Sequence, residues 1–127
     1  MQNTSGHLGK LASYDVKTLK EQWAVTQRTP FLTAVVTTAG GVGFVGDLGR
    51  TFRVFDAKTG KTLWQTKLGT SVQGFPATFS IDGRQYIAVT TGLGGGSPRL
   101  VPNQLVREVT VPTTGHALYV FALPEKK

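Results

Sequence analysis

The chain has 127 residues with a formal net charge of +7, no cysteine, 16 glycines and 6 prolines. Charged residues make up only 17% of it, a profile that favours many short strands and tight turns over helices. Disulfides and thiolate metal sites are excluded, and no apolar run approaches the roughly 18 residues of a membrane-spanning helix.

The positive charge carries no nucleic-acid signature. The 14 lysines and arginines are spread over the whole chain, and the longest run of them is Lys126–Lys127. No RNA-binding motif that combines basic and aromatic residues accompanies them. We therefore expect no nucleic-acid partner, since an acidic protein or an anionic cofactor fits this charge better.

The first predicted element is a β-hairpin with strands over 10–16 and 21–26. Asp15 lies at its turn, where a carboxylate can accept backbone N–H bonds. Leu19 stands where a later copy of this turn carries glycine, so the first turn is the less ideal one. The polar stretch before the hairpin lacks the apolar core of a signal peptide.

Two further strands follow the connector 28–31. The segment 33–38 is β-branched and nearly all apolar, which predicts a strand buried on both faces. Ala39-Gly40-Gly41 then turns the chain into a strand over 42–46. A phosphate-binding loop is the alternative for this glycine pair, but no Gly-Lys-Ser/Thr sequence follows it, so we expect a tight hairpin.

The stretch Arg53–Leu68 carries the clearest motif. Asp56 and Thr59 supply side-chain oxygens to a turn, and Gly60 supplies a positive φ there. Trp64 brings a large ring with one N–H donor, which predicts a slot between neighbouring sheets and a carbonyl partner. The predicted strands on either side cover 51–55 and 62–68.

The motif occurs twice, with a spacing of 41 residues. The first copy consists of Asp15, Thr18 and Trp23. A period near 40 residues predicts stacked units such as propeller blades. Because the first copy lies near an edge of the assembly, we expect Trp64 to be the docked ring and Trp23 to matter less.

The second half of the chain repeats the strand pattern. Strands are predicted over 71–80, 85–90 and 116–123, with a Gly-Phe-Pro bend in the first of them. Asp82-Gly83 predicts a type I′ hairpin turn between the first two. Between the second and third, 92–98 is dense in glycine and 100–112 is irregular.

These elements predict an all-β fold, a partial β-propeller of about two to three four-stranded antiparallel blades with tryptophan-docking motifs. Residues 1–27 would end one blade, 28–69 would form a complete blade, and 70–127 would form a final, incomplete blade with an insertion over 97–114. The chain would be a C-terminal propeller segment. Its open strand edges would favour self-association.

The residues resemble the quinoprotein dehydrogenases, which use pyrroloquinoline quinone (PQQ). Asp56–Trp64 is similar to their tryptophan-docking motif, Asp-x-x-Thr-Gly-x-x-x-Trp. Four more matches follow in the order of the last two blades of the large subunit, and together the five cover nearly the whole chain. These matches lie at 37–46, 73–76, 82–89 and 92–95.

The resemblance implies an eight-bladed propeller in a longer parent protein, with PQQ and a calcium or lanthanide ion near its axis. It also implies oxidation of an alcohol or a similar substrate by hydride transfer to the quinone. The implied location is the periplasm. The implied partners are the remaining blades and, as a candidate electron acceptor, a cytochrome c.

The resemblance places cofactor-lining positions at Thr51 and Gly96, with Asp47 and Arg50 at the same rim. An ordinary turn role is the alternative for each of them. The metal ligands, the catalytic aspartate and the stacking tryptophan of the family precede this region, so we expect no catalytic or metal-binding residue here. Of the seven carboxylates, Asp47 alone is a plausible axial acid, and one carboxylate cannot be both metal cage and base. The isolated chain should therefore bind no PQQ and be inactive.

Two other hypotheses stay open. A non-catalytic propeller module of the same superfamily, like the scaffold lipoprotein of outer-membrane assembly, would need only the tryptophan motifs and would act by binding. A basic nucleic-acid-binding β domain rests on charge alone. The ordered set of matches favours a C-terminal fragment of a PQQ-dependent, alcohol dehydrogenase-like oxidoreductase.

Overall fold

The computed structural model describes residues 5–93, 101 and 103–124. Within them the all-β prediction is confirmed, since helical backbone is confined to 101 and 103–105. The strands are β1 (Gly9–Tyr14), β2 (Glu21–Gln27), β3 (Val36–Thr37), β4 (Val42–Gly46), β5 (Thr51–Asp56), β6 (Thr62–Lys67), β7 (Val72–Ile81), β8 (Arg84–Thr91) and β9 (Ala117–Ala122).

The strands form three antiparallel sheets in chain order. The first sheet is β1-β2, the second is β3-β4-β5-β6, and the third is β7-β8-β9. Each sheet is a simple meander, so successive connections alternate between its two ends. Such meanders placed side by side are the arrangement of propeller blades.

The connections fall into two groups. We call the end that carries the tight turns 15–20, 38–41, 56–61 and 82–83 the turn end. We call the opposite end the rim, and its segments are 28–35, 47–50, 68–71 and 106–116. At the turn end, the turns 38–41 and 56–61 are joined by a hydrogen bond from Ala57 N to Gly41 O, at 2.9 Å.

The second sheet packs on both of its faces. Phe44 and Phe52 join Ile87 and other side chains of the third sheet in the larger core cluster. Val45 and Phe55 point to the opposite face and pack with Leu11 of the first sheet. The alternation along β4 and β5 sends neighbouring residues to opposite faces, so the middle sheet is enclosed on both sides.

The prediction of a strand over 33–38 is largely wrong. Only Val36–Thr37 pairs with β4, and Val35 is 48% exposed, so the segment is not buried on both faces. The reason lies in its hydrogen bonds, because Ala34 N donates to Gly74 O of β7 at 3.0 Å. The backbone before β3 therefore leaves its own sheet and bridges to the third one.

Two local predictions of the second half are confirmed. Asp82 and Gly83 both have positive φ, 49° and 77°, as a type I′ turn requires. The Gly-Phe-Pro bend is a β-bulge, since the pairing of β7 with β8 is interrupted between Gln73 and Ala77.

The expected roles of the two tryptophans are reversed. Trp23 lies against the β5–β6 turn, and its Nε1 donates to Ala57 O at 3.2 Å. Its ring meets that of Phe55 edge-on, with 5.8 Å between centroids and 70° between planes. A Cβ built on Gly60 would lie 2.5 Å from Cε3 of Trp23, so the glycine makes room for the ring.

Trp64 has no equivalent slot in the described part of the chain. It is 45% exposed, and its ring meets Phe121 of β9 edge-on at 5.5 Å. The third sheet ends at β9 within the described residues, and among them no turn like 56–61 covers the indole. The expectation that Trp64 is the buried, hydrogen-bonded ring is therefore wrong, and the ring that is part-buried and hydrogen-bonded to a carbonyl is Trp23.

Candidate functional site at the rim

The rim segments are joined into one layer by side-chain hydrogen bonds to backbone carbonyls. Ser71 Oγ donates to Leu48 O at 3.1 Å, and Thr70 Oγ1 donates to Pro112 O at 2.6 Å. These bonds connect the β6–β7 connector to the β4–β5 turn on one side and to the segment before β9 on the other. Thr70 and Ser71 are fully buried.

Asp47 is the buried acid of this layer, at 3% exposure. Its Oδ1 accepts from Thr51 N at 2.9 Å, and its Oδ2 accepts from Gln27 Nε2 at 3.1 Å. Thr51, at 8% exposure, is buried beside it. Both carboxylate oxygens are thus engaged, and Asp47 holds the β4–β5 turn and links it to β2 of the neighbouring sheet.

Gln27 extends this link, and sequence reasoning missed it. Its Oε1 accepts from Arg53 Nη2 at 3.1 Å, and the Arg53 guanidinium lies over the Phe31 ring, 5.8 Å from the centroid. These partners are 20 and more residues apart in the chain. No local sequence pattern predicts these contacts. The only signal is a glutamine at the rim end of β2, whose side chain needs a polar partner.

Arg50 has a left-handed backbone, with φ of 72°. For a residue other than glycine this costs about 1–2 kcal/mol, so its surroundings must hold it. Arg50 N donates to Asp47 O, Arg50 Nε donates to Leu68 O at 2.9 Å, and Leu68 N donates back to Arg50 O at 2.9 Å. The guanidinium therefore lies along the β6–β7 connector.

Two clefts of about 450 Å³ each open near the rim, and they share no residue. The outer cleft reaches the end of β6, the outermost strand of the second sheet, and is lined by Thr29, Gly49, Arg50, Lys67, Val109 and Thr110. The inner cleft lies at β7, an edge strand of the third sheet, and at the segment before the edge strand β3, and it is lined by Phe31, Leu32, Thr33, Ala34, Gln73, Gly74 and Phe75.

Gln73, which lines the inner cleft, carries an unpaired amide nitrogen. Gln73 Nε2 is buried and has no hydrogen-bond partner among the described residues. Nearly all buried polar groups in proteins have a partner, so this nitrogen marks a place where an acceptor is missing. Phe75, beside it, is 86% exposed. Sequence reasoning noticed the Gln-Gly-Phe-Pro bend as a match but did not assign Gln73 a role.

The predicted site residues are thus found in different surroundings. Asp47, Arg50 and Thr51 share one turn, but Asp47 and Thr51 are buried within the chain and Arg50 lines the outer cleft. Gly96 lies outside the described residues.

Charge at the rim is balanced in part by one ion pair. Arg28 Nε donates to Glu108 Oε1 at 2.5 Å, and this hydrogen bond lowers the pKa of Glu108 below its ordinary 4.5. Across 5–93, 101 and 103–124, no group of three or more His, Asp or Glu side chains is placed to hold a metal ion. The same ranges contain no helix with the length and apolar character of a membrane span.

Residues 3–87 match the PQQ family described as "Glucose/ethanol/alcohol dehydrogenase, beta-propeller domain". The chain belongs to this family. The resemblance read from the sequence is thereby confirmed, and so is the propeller fold.

Individual relatives agree with the family. The chain is 37% identical over 119 residues to the quinoprotein alcohol dehydrogenase PedE of Pseudomonas putida, which covers 93% of this chain and 18% of PedE. It is 35% identical over 118 residues to the 1-butanol dehydrogenase (cytochrome c) of Thauera butanivorans, covering 93% of this chain and 16% of that protein. The chain therefore spans less than a fifth of the length of either relative.

Among solved structures, a europium-containing methanol dehydrogenase superposes with a TM-score of 0.74 at 34% identity. The superposition covers 90% of this chain and 23% of that chain. Since sequence and backbone agree over nine-tenths of the chain, the three sheets correspond to a contiguous part of a larger propeller.

Proposed function

We propose that the chain contributes blades and part of the cofactor rim to a PQQ-dependent dehydrogenase that oxidises alcohols or similar substrates. The observation that carries the proposal is the match, in sequence and in fold, to quinoprotein alcohol dehydrogenases over about nine-tenths of the chain. In this proposal 28–69 is one complete blade, 1–27 ends the preceding blade, and 70–127 belongs to the following one, with an insertion over 97–114.

The inner cleft fits one side of a planar quinone that bears carboxylates. It lies at the innermost strands, which surround the central channel of a propeller. The exposed Phe75 ring offers a flat apolar face. The unpaired Gln73 amide is a donor suited to a carbonyl or carboxylate oxygen, once a turn of its side chain brings the nitrogen to the cleft.

The residues predicted for the rim act on the cofactor indirectly in this proposal. Asp47 fixes the β4–β5 turn through Thr51 N and Gln27 Nε2, and Arg50 fastens the same turn to Leu68. That turn also positions the rim segment 28–35, part of which lines the inner cleft, because Leu48 N donates to Pro30 O at 3.1 Å. Gly96 is assigned to the cofactor by the resemblance only.

Bound PQQ would supply the quinone that accepts hydride from the substrate. The base and the ligands of a calcium or lanthanide ion would come from the remaining blades, because Asp47 has both oxygens engaged. This chain's own part is to wall the cofactor and to exclude water. We therefore expect no turnover from the chain alone.

In this proposal, the partners and the location are inferred from the relatives. A cytochrome c is the electron acceptor named for the Thauera butanivorans relative, and a lanthanide is present in the europium-containing structure. We extend both to the complete protein as candidates, with calcium as the other metal and the periplasm as the site of action.

The test uses the complete propeller that contains this chain. PQQ is added with calcium or lanthanum chloride, and alcohol-dependent reduction of an artificial dye is recorded. We expect turnover from the complete protein and none from the 127-residue chain. A complete propeller that takes up PQQ and metal but oxidises no alcohol would refute the proposed activity.

The contribution of Gln73 has its own measurement. Gln73→Leu replaces the donor by an apolar side chain of similar size. PQQ affinity should therefore fall by about tenfold, the usual worth of a charge-assisted hydrogen bond. Phe79→Leu, on β7 but outside the inner cleft, is the control and should leave affinity unchanged. Equal affinities in the two variants would remove Gln73 from the cofactor wall.

A further inference from the structure

The outer cleft is a ligand-sized site that the proposed function leaves unused. Its volume of about 450 Å³ lies within the range of roughly 300–1,000 Å³ found for small-molecule sites. It shares no residue with the inner cleft and reaches Lys67 at the end of the outermost strand β6. A ligand bound there would lie away from the propeller channel.

Among the described residues, the lining of the outer cleft carries two positive charges and no negative one. Arg50 and Lys67 are the cations, and Thr29 and Thr110 add hydroxyl groups. Arg50 uses Nε on Leu68 O, and Lys67 uses one ammonium hydrogen on Gly49 O. Within the described residues the two terminal guanidinium nitrogens and the other ammonium hydrogens make no further hydrogen bond, so they remain available as donors.

Two carboxylates that flank lining residues of this cleft in the chain are already engaged. Asp47 is 3% exposed and accepts from Thr51 N and Gln27 Nε2. Glu108 is paired with Arg28. Neither side chain lines the cleft, so neither can neutralise Arg50 and Lys67 by direct contact.

Both cations are held in place without a ligand. The left-handed backbone of Arg50 is fixed by its bond to Asp47 O and by the reciprocal bonds with Leu68. Lys67 is fixed to Gly49 O, in the same turn as Arg50. The donors of the cleft are therefore preorganised, which lowers the entropy lost when an anion binds.

The opposite wall of the cleft is also anchored. Val106 is fully buried, and Val109 N donates to Val106 O at 2.9 Å. Beyond the wall, Pro112 O accepts from Thr70 Oγ1 at 2.6 Å. The segment that presents Val109 and Thr110 is thus fastened on both sides.

We propose that the outer cleft binds a small oxyanion, a carboxylate or phosphate group, between Arg50 and Lys67. The planar guanidinium offers two parallel N–H donors to two oxygens of such a group, and the ammonium supplies a point charge beside it. The threonine hydroxyls complete the contacts. This proposal does not depend on PQQ or on dehydrogenase activity.

The test is a titration of the protein with inorganic phosphate and, separately, with malonate, at low ionic strength. Amide chemical shifts are followed by NMR, and the expected response is confined to 49–50, 67 and 109–110. Lys67→Met keeps the aliphatic stem and removes the charge, so affinity should fall about tenfold, the worth of one charge-assisted hydrogen bond. Lys67→Arg keeps the charge and should retain binding.

Lys61→Met is the matched control, because it removes the same charge from the turn end. Binding that Lys67→Met weakens and Lys61→Met does not would support the site, and the tighter of the two probes would identify the anion class. Shifts absent from the cleft amides would overturn the proposal. Equal losses in Lys67→Met and Lys61→Met would also overturn it, since they would show attraction to overall charge alone.

Discussion

Removal of Trp23 should destabilise this protein more than removal of Trp64. Trp23→Ala deletes a ring that packs on the β5–β6 turn, whereas Trp64→Ala deletes one that is 45% exposed. The same amino acid is lost in both variants, so the comparison isolates the surroundings of each ring. It also distinguishes the docking seen in the structure from the opposite ranking that the sequence suggested.

The magnitude follows from the contacts of each ring. Trp23 loses a hydrogen bond to Ala57 O, worth about 1 kcal/mol, and an edge-to-face contact with Phe55, worth about 0.5–1.5 kcal/mol. With the lost burial, the total should approach the lower end of the 3–5 kcal/mol range typical of large aromatics, about 3 kcal/mol. Trp64 loses an edge-to-face contact with Phe121, worth about 0.5–1.5 kcal/mol, and the burial of about half of its surface, worth about 1 kcal/mol, so its total should be about 2 kcal/mol.

The assay is equilibrium unfolding in urea, followed by circular dichroism because each variant loses one of the two tryptophans that report by fluorescence. Trp23→Phe serves as the intermediate variant: it keeps a ring but loses the N–H donor, and should cost about 1 kcal/mol. Equal losses for the two alanine variants, or a larger loss for Trp64→Ala, would refute the reasoning.

Three further predictions concern the turns and the open sheet. Gly60→Ala should lower the free energy of unfolding, measured in urea, clearly more than Gly41→Ala. Both glycines have positive φ, 74° and 80°, but the new Cβ would meet the Trp23 ring at Gly60 and nothing within 4 Å at Gly41. The Thr59 hydroxyl and the backbone N–H groups of Thr59 and Lys58 lower the pKa of Asp56 from its ordinary 3.8, so its contribution to stability is full above about pH 4 and is lost as pH falls through the folded pKa. Asp56→Asn should therefore flatten the acid limb of a stability–pH profile, and an unchanged limb would contradict this. Val120→Lys, on an edge strand at 51% exposure, should reduce concentration-dependent association in sedimentation without loss of stability.

The turns were predictable from sequence because their contacts are local. Asp56 Oδ1 accepts from Lys58 N, Thr59 N and Thr59 Oγ1 at 3.0, 2.8 and 2.9 Å, all within three residues. Asp15 repeats the pattern with its own following residues, and Leu19 takes the positive φ, 56°, that glycine takes in the later copy. A motif that closes on itself can be read without knowledge of the rest of the fold.

The rim was not predictable in the same way. Asp47 meets Gln27 across 20 residues, and Thr70 meets Pro112 across 42. Each residue alone is an ordinary polar residue in a connector, and its partner is set by which sheets become neighbours. The same limit explains the tryptophans, since the carbonyl that receives Trp23 lies 34 residues further along the chain.

The two ends of the sheets therefore have different roles, and the meander topology explains why. At the turn end, connections of a few residues close on their own backbone, and one of them also accepts a hydrogen bond from the Trp23 ring of the adjacent sheet. At the rim, the connections between sheets and the long segment before β9 meet the β4–β5 turn, and irregular backbone leaves gaps between them. One of these gaps is lined by Gln73, whose amide nitrogen is unpaired, and the other is lined by Arg50 and Lys67. Because the β4–β5 turn is fixed by hydrogen bonds to Gln27, Thr51 and Val72, a ligand in the outer cleft meets donors whose positions are set before it binds.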